Sequence, residues 1–326
     1  VPAYTCKAVV ESAILAGKTV HFAECSADTF NIDYEQLPKN LDPDWIVLAT
    51  HQYGFCSDIL KLVEYSKRVG ALVIEDVAAA FGSKIDQKLA GTFGDASFFS
   101  FDSTKLINAP LKAGFLLVKD PDLFKRCSEV YQNETSEMPL ARQCKYLVFG
   151  CILNFISNKY FYRIFHYFHF SRRQKFTEDR PELNRNKTPF YSDRVTNWQA
   201  WIVLKQLGGL DLIYSKRRLM YQDLLAGLSE CRNIKLPPQI RDHDWIPIRF
   251  PILVPKDKLS FYEKGCEKGV DFAFSFSFIG SPKSFTESQL IADRVLNLPF
   301  YFKLSPREVL RVVEVIKKLD EELYAS

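Results

Sequence analysis

Cysteine pairs at metal or redox spacing are missing from this sequence. The eight cysteines, at 6, 25, 56, 127, 144, 151, 231 and 266, form no C-x-x-C and have no histidine at zinc-ligand spacing. A zinc module is thereby excluded, and the thiols are expected to be reduced core or surface groups. Net charge is scarce as well: 43 Lys and Arg face 39 Asp and Glu, a formal balance of +4, so the average surface gives no case for nucleic acid as a partner. The opening residues Val1-Pro2-Ala3-Tyr4 contain no basic region followed by an apolar stretch. A cytosolic location is therefore expected, and the sequons at Asn133 and Asn186 are read as chance matches. Internal repeats and low-complexity tracts are absent too. What remains is 326 residues that are 47% hydrophobic, enough for one large core plus a smaller lobe.

Helical and strand-like patterns alternate from the start. The spacing predicts a helix over 8–16, strands over 19–23 and 45–50, and a helix over 59–69. An apolar strand over 71–74 follows, ending in Glu75-Asp76, with further strands over 96–101 and 114–118. Strands separated by helices predict an α/β fold with a mostly parallel sheet covered by helices. The second half differs: 144–170 is dense in aromatics, 171–189 is polar, and a long helical pattern runs over 194–228. A strand over 246–254, a helix over 258–268 and a helix over 305–323 with Pro306 in its first turn follow. This divides the chain into a large domain over 1–140, an aromatic and basic insertion with linker over 141–190, and a long helix with a smaller α+β domain over 191–326.

Ligands of such sheets sit beyond the carboxyl ends of the strands. Asp76 ends one strand after apolar residues, where its charge wants a cationic partner; a helix N-cap or a plain ion pair would also satisfy it. Lys105 follows Phe98-Phe99-Ser100-Phe101 in a turn with Ser103 and Thr104. Set behind a buried strand, its ammonium can be destabilised and the free amine made available for imine formation, although a lone lysine there also reads as a solvated surface group. The combination carries more. Pyridoxal phosphate (PLP) needs a lysine for its Schiff base and an acid at the ring nitrogen, because the protonated pyridinium is the electron sink. Ser100 adds a hydroxyl for the phosphate.

Five motifs then fall in register: Val1-Pro2-Ala3-Tyr4-Thr5-Cys6, His51-x-Tyr53-Gly54, Val73-Ile74-Glu75-Asp76-x-Ala78, Gly91-Thr92-Phe93-Gly94-Asp95 and Phe99-Ser100-Phe101-x-x-Thr104-Lys105. With Gln199-Ala200, Gln206-Leu207, Arg217-Arg218 and Leu298-Pro299-Phe300-Tyr301 downstream, the sequence resembles the DegT/DnrJ/EryC1/StrS sugar aminotransferases over most of its length except about 126–190. The resemblance implies the fold-type I aminotransferase fold, PLP as cofactor, and transfer of an amino group, commonly from glutamate, to a nucleotide-linked keto-sugar for cell-surface polysaccharide or related glycan synthesis. It implies that Lys105 forms the Schiff base, Asp76 pairs with the ring nitrogen and Ser100 touches the phosphate, in a homodimer. Cys6 stands where many members stack an aromatic on the ring, Ala79 where Gln or His reaches the ring hydroxyl, and Ser192 where an Asn crosses the dimer interface to the phosphate. Pro110 and Lys112 alter the glycine-rich stretch after the lysine. Family members also carry an upstream Gly-Thr/Ser turn and helix N-terminus that grip the phosphate, so the chain as given is expected to bind PLP weakly. Ala79 and Ser192 keep open an alternative, a degenerate homologue acting as a non-catalytic partner subunit.

One stretch speaks independently of the family. From Met138 to Thr177 there is no Asp or Glu, while Arg142, Lys145, Lys159, Arg163, Arg172, Arg173 and Lys175 are basic. Lys159, Arg163 and His166 recur at helical spacing among aromatics, which predicts a helix lying in a membrane interface. The run 146–156 is apolar but short of the ~20 residues that span a bilayer. Peripheral contact of 144–173 with the inner membrane surface, or with a hydrophobic partner, is expected; packing on the body or on a dimer mate is the competing reading. Substrate contacts are expected in 271–283, where Phe272, Phe274, Phe276 and Phe278 alternate at strand period, a pattern that one face of a core strand also explains.

Overall fold

The computed structural model describes residues 1–110, 113–156, 183, 192–240, 244–255, 257–276, 280 and 284–324. The helix expected around Lys159, Arg163 and His166 lies outside them, as does Phe278.

Helix α1 (Lys7–Leu15) starts at Cys6 and ends before Gly17, whose φ of 71° takes the chain out of the helix. Strand β1 (Ile46–Thr50) is followed by α2 (Ile59–Val69), which buries Ile59, Leu62 and Ser66. That helix stops at Gly70, in the left-handed conformation a C-terminal glycine adopts without strain. Lys67 and Arg68 sit in its last turn, where cations complement the helix dipole. Then come β2 (Leu72–Asp76), a short hairpin of β3 (Lys84–Ile85) and β4 (Lys88–Leu89), β5 (Ala96–Ser100) and β6 (Gly114–Val118). The sheet order is β1-β2-β5-β6. The first three strands are parallel and β6 is antiparallel to β5, so the expected α/β architecture with a mostly parallel sheet is present. The strand expected over 19–23 is reduced to a single bridge between Ala23 and Pro2.

Helix α3 (Pro121–Glu134) is capped by Asp120. Helix α4 (Leu140–Ile156) leaves Leu147, Val148, Phe149, Ile152 and Phe155 exposed. The single helix expected over 194–228 is two, α5 (Asn197–Leu207) and α6 (Leu210–Leu228), divided at Gly208-Gly209. Two consecutive glycines remove the side-chain and entropic support that would carry a helix through. Thr196 and Gln199 form a reciprocal capping box at the start of α5.

The last part pairs β7 (Phe250–Leu253) antiparallel with β8 (Val295–Leu298), between α7 (Lys258–Glu267), α8 (Thr286–Arg294) and α9 (Pro306–Tyr324). β7 is shorter than the strand expected over 246–254 because the donors before it go elsewhere. Ile246 N–H donates to Ser83 Oγ at 2.8 Å and Ile248 N–H to Tyr53 O at 2.9 Å. The largest core cluster joins both ends of the chain: Tyr4, Phe30, Tyr53 and Phe55 pack with Tyr221, Phe250 and Phe300. An apolar cleft of about 590 Å³ lies along the sheet near the strand starts, lined by Trp45, Leu48, Ile74, Phe98 and Leu116; it does not include Asp76 or Lys105.

Candidate active site

Parallel pairing brings the ends of three strands level. Thr50 of β1 stands opposite Asp76 of β2, and Asp76 opposite Phe98 of β5, two residues before Ser100. Register partners in a parallel pair face the same side of the sheet, and alternation puts Ser100 on that side as well. Asp76 is 8% exposed, and its Oδ1 accepts the Ala78 N–H at 2.9 Å, the carboxylate's one hydrogen bond among the described residues. Burial pushes its pKa up, against the Ala78 hydrogen bond and the charge of Lys105, which both pull it down. Lys105 is half-buried, in a turn closed by its own N–H to Asp102 O at 2.9 Å. Cys6, half-buried, feels both: burial raises its thiol pKa, and the charges of Lys105 and Asp76 reach it.

Glu75 points to the opposite side of β2. Its carboxylate, fully buried, accepts Gly91 N–H at 2.8 Å, Phe93 N–H at 2.7 Å and Gly94 N–H at 2.7 Å, and pairs with His51 Nε2 at 3.1 Å. The Ser57 N–H donates to His51 Nδ1 at 3.1 Å, so the imidazole is the neutral tautomer with its proton on Nε2 facing Glu75. Burial alone would raise the Glu75 pKa, but the hydrogen bonds from His51, Gly94 and Gly91 hold it below the usual range. Because His51 N–H also donates to Asp76 O at 3.0 Å, this pair fixes the strand end from which Asp76 projects.

The glutamines of α5 hold the other side. Gln206 takes both backbone groups of Asn108, donating from Nε2 to its carbonyl at 2.6 Å and accepting its N–H at 3.2 Å. Gln199 Nε2 reaches Pro110 O at 3.2 Å. Seven residues apart on one helix face, they strap down the loop that follows Lys105. The sequence singles out both glutamines only as part of a resemblance. Their task depends on where α5 docks, and no local pattern reports that.

The charges of Asp76 and Lys105 thus reach each other and Cys6, and the register puts Ser100 on the Asp76 side of the sheet. Ala79 is half-buried and adds no polar side chain. Ser192 is tied by its carbonyl to Ser136 N–H at 2.8 Å, at the junction of α3 and α4, rather than to the Asp76–Lys105 pair. The residues present fit a bound PLP. Asp76 keeps a carboxylate oxygen free to accept a ring N–H, and the Ser100 hydroxyl accepts from Asp102 N–H at 3.3 Å while retaining its own proton to donate. Thr50 Oγ1, register neighbour of Asp76, is buried without a partner, a polar atom that a ligand on this face would satisfy.

The sequence profile of the DegT/DnrJ/EryC1/StrS aminotransferase family matches residues 1–317. The chain is 34% identical over 128 residues to GDP-perosamine synthase of Escherichia coli O157:H7, 39% of this chain and 35% of that protein. It is 24% identical over 290 residues to dTDP-3-amino-3,4,6-trideoxy-alpha-D-glucose transaminase of Micromonospora megalomicea subsp. nigra, 84% of this chain and 65% of that protein. The chain therefore spans about a third of that synthase and just under two thirds of that transaminase. Among solved structures, a DegT DnrJ EryC1 StrS aminotransferase from Brucella abortus superposes with a TM-score of 0.73 at 16% identity, covering 98% of this chain and 79% of that one. DesV of S. venezuelae gives 0.72 at 20% identity, covering 99% and 78%. These likenesses establish the fold as that of the fold-type I aminotransferases.

Proposed function

Because the chain belongs to the DegT/DnrJ/EryC1/StrS aminotransferase family, we propose that it transfers an amino group from glutamate to a keto group of a nucleotide-linked sugar, with PLP as cofactor, in the synthesis of a cell-surface polysaccharide or related glycan. The observation that carries the reading is a buried, singly hydrogen-bonded Asp76 at the sheet's carboxyl end, within reach of the charge of Lys105. Relatives named for GDP- and dTDP-linked sugars support the substrate class.

When bound, PLP supplies a ring that accepts the electron pair left at the reacting carbon. Asp76 would hold the ring nitrogen protonated, with burial strengthening that contact. Ser100 would donate to the phosphate. Lys105 Nζ would hold the cofactor and carry the proton between carbon and nitrogen. Lys105→Ala is expected to lower amino transfer to a nucleotide keto-sugar by at least about a hundredfold, the low end for a positioned acid–base group. Turnover at the wild-type rate would sink the assignment.

The same reading includes a homodimer and peripheral membrane contact. No helix among the described residues is long and apolar enough to cross a membrane. The exposed apolar side chains of α4, which lies within a stretch of seven basic and no acidic residues over 138–177, suit an anionic lipid surface at about 1 kcal/mol per nearby basic residue. Flotation with anionic liposomes should be lost at high salt and in a Lys159, Arg163, Arg172, Arg173 quadruple Glu variant. Equal flotation of wild type and variant, or none of either, would leave α4 as a packing helix.

A further inference from the structure

Thr50, the last residue of β1, is 2% exposed, and its Oγ1 is buried without a hydrogen-bond partner. A threonine suits a strand by its β-branched shape, but valine has nearly the same shape without the hydroxyl. The fold alone therefore has no use for this oxygen, and burying it unsatisfied is destabilising. The sheet itself offers it no partner. Two residues down the same face stand Leu48, Ile74 and Ala96, and Phe98 lies level with Asp76 on β5, all without a polar side-chain atom. Asp76 is level with Thr50, yet its carboxylate accepts only the Ala78 N–H among the described residues. The partner is to be sought beyond the strand end.

Strand order identifies the source. Asp76 stands on the middle strand β2, with Thr50 on β1 to one side and Ser100 on β5 to the other, all on one face of the sheet. PLP is a flat ring with the same layout. On opposite sides of the line from its ring nitrogen to the carbon that a lysine amine captures, it carries the phosphate arm and an ionisable ring hydroxyl. A ring whose nitrogen meets Asp76 and whose phosphate arm runs toward Ser100 turns that oxygen toward β1, one strand spacing of about 4.8 Å away. Thr50 offers a donor on that side, and the half-buried Ala79 offers none from its side chain.

We propose that Thr50 is a further cofactor-contacting residue, its hydroxyl donating to the ring oxygen of PLP and so fixing the ring between Asp76 and Ser100. The inference rests on the reading of Asp76 and Lys105 as the PLP site. A hydrogen bond to an ionised oxygen is stronger than one between neutral groups, so loss of this donor is read directly in cofactor affinity.

Titration of the full chain with PLP and, separately, with deoxypyridoxal phosphate, the analogue lacking only the ring hydroxyl, isolates the contact. Thr50→Val is expected to weaken PLP by about tenfold while the analogue binds as it does to wild type, and Thr50→Ser is expected to retain PLP affinity. Without cofactor, Thr50→Val should melt at or above the wild-type Tm, because it removes an unsatisfied buried hydroxyl. Equal weakening of both compounds, or a lower Tm for the empty Val variant, would assign Thr50 to packing and overturn the proposal. Lys105→Ala tests the underlying reading and should weaken both compounds alike, since each carries the aldehyde. If Lys105→Ala weakens both and Thr50→Val weakens neither, the contact alone fails. If Lys105→Ala binds both as wild type does, or wild type binds neither, the reading of the site fails and the contact with it.

Discussion

Two neighbouring carboxylates on β2 have their pKa values moved in opposite directions by their surroundings. Asp76 has its pKa raised, mainly by burial. Its folded state binds a proton more readily than the unfolded chain, so its contribution to stability is complete below the ordinary aspartate range and is lost as pH rises through the raised value. Glu75 has its pKa lowered by His51 and the Gly94 and Gly91 N–H groups, against the effect of burial. Its contribution is present above the ordinary glutamate range and is lost as pH falls through the lowered value. Without cofactor, Asp76→Asn should therefore raise Tm at neutral pH and lose that advantage on acidification, whereas Glu75→Gln should lower Tm at neutral pH and approach wild type in acid. Thermal unfolding over a pH series checks both. Parallel curves for the two variants would show that the neighbouring acids do not differ in this way. Asp76 is thus an acid kept at a cost to the empty fold, as residues poised for a ligand often are.

At the scale of elements, what the sequence reveals and what it hides divide along physical lines. The strand ends at Thr50, Asp76 and Ser100 are readable because short apolar runs give way to polar residues, and a parallel sheet places ligands at those ends. Helix α2 is readable end to end because Gly70 closes it. The break at Gly208-Gly209 is less so, since apolar spacing continues across it. The Glu75–His51 pair and the Gln199–Gln206 strap are not legible at all, because each joins residues far apart in sequence, as Gln206 and Asn108 are. The strap yields its own prediction. In Gln206→Ala the Asn108 N–H loses its acceptor, at a local cost of about 1–2 kcal/mol. Hydrogen exchange at Asn108 should then accelerate by roughly tenfold while core amides of β1 and β2 keep their protection. Unchanged exchange at Asn108 would mean that the strap does not hold the loop after Lys105.

For the whole molecule, the question is which surfaces a second copy would cover. Single exposed apolar residues are ordinary, but α5 presents Trp201 at 60% and Leu204 at 64% exposure, three residues apart and so on one stripe. The opposite side of the same helix is fixed by Val203 in the cluster with Ile107 and Ala109 and by the two strap glutamines. A helix that holds the lysine loop on one side and shows a tryptophan and a leucine on the other is placed to make the site sensitive to self-association. A stable dimer needs about 800 Å² per partner, more than this stripe alone provides, so other exposed apolar groups are expected to join it. Sedimentation velocity should show a dimer for the wild-type chain. A Trp201→Glu, Leu204→Glu double variant should sediment as a monomer with an unchanged circular dichroism spectrum, because neither side chain contributes to the buried core. In that variant, hydrogen exchange at Asn108 should also rise if the mate presses α5 against the loop. A wild type that stays monomeric at all concentrations, or a double variant that still dimerises, would assign the α5 stripe to solvent and move the expected interface elsewhere.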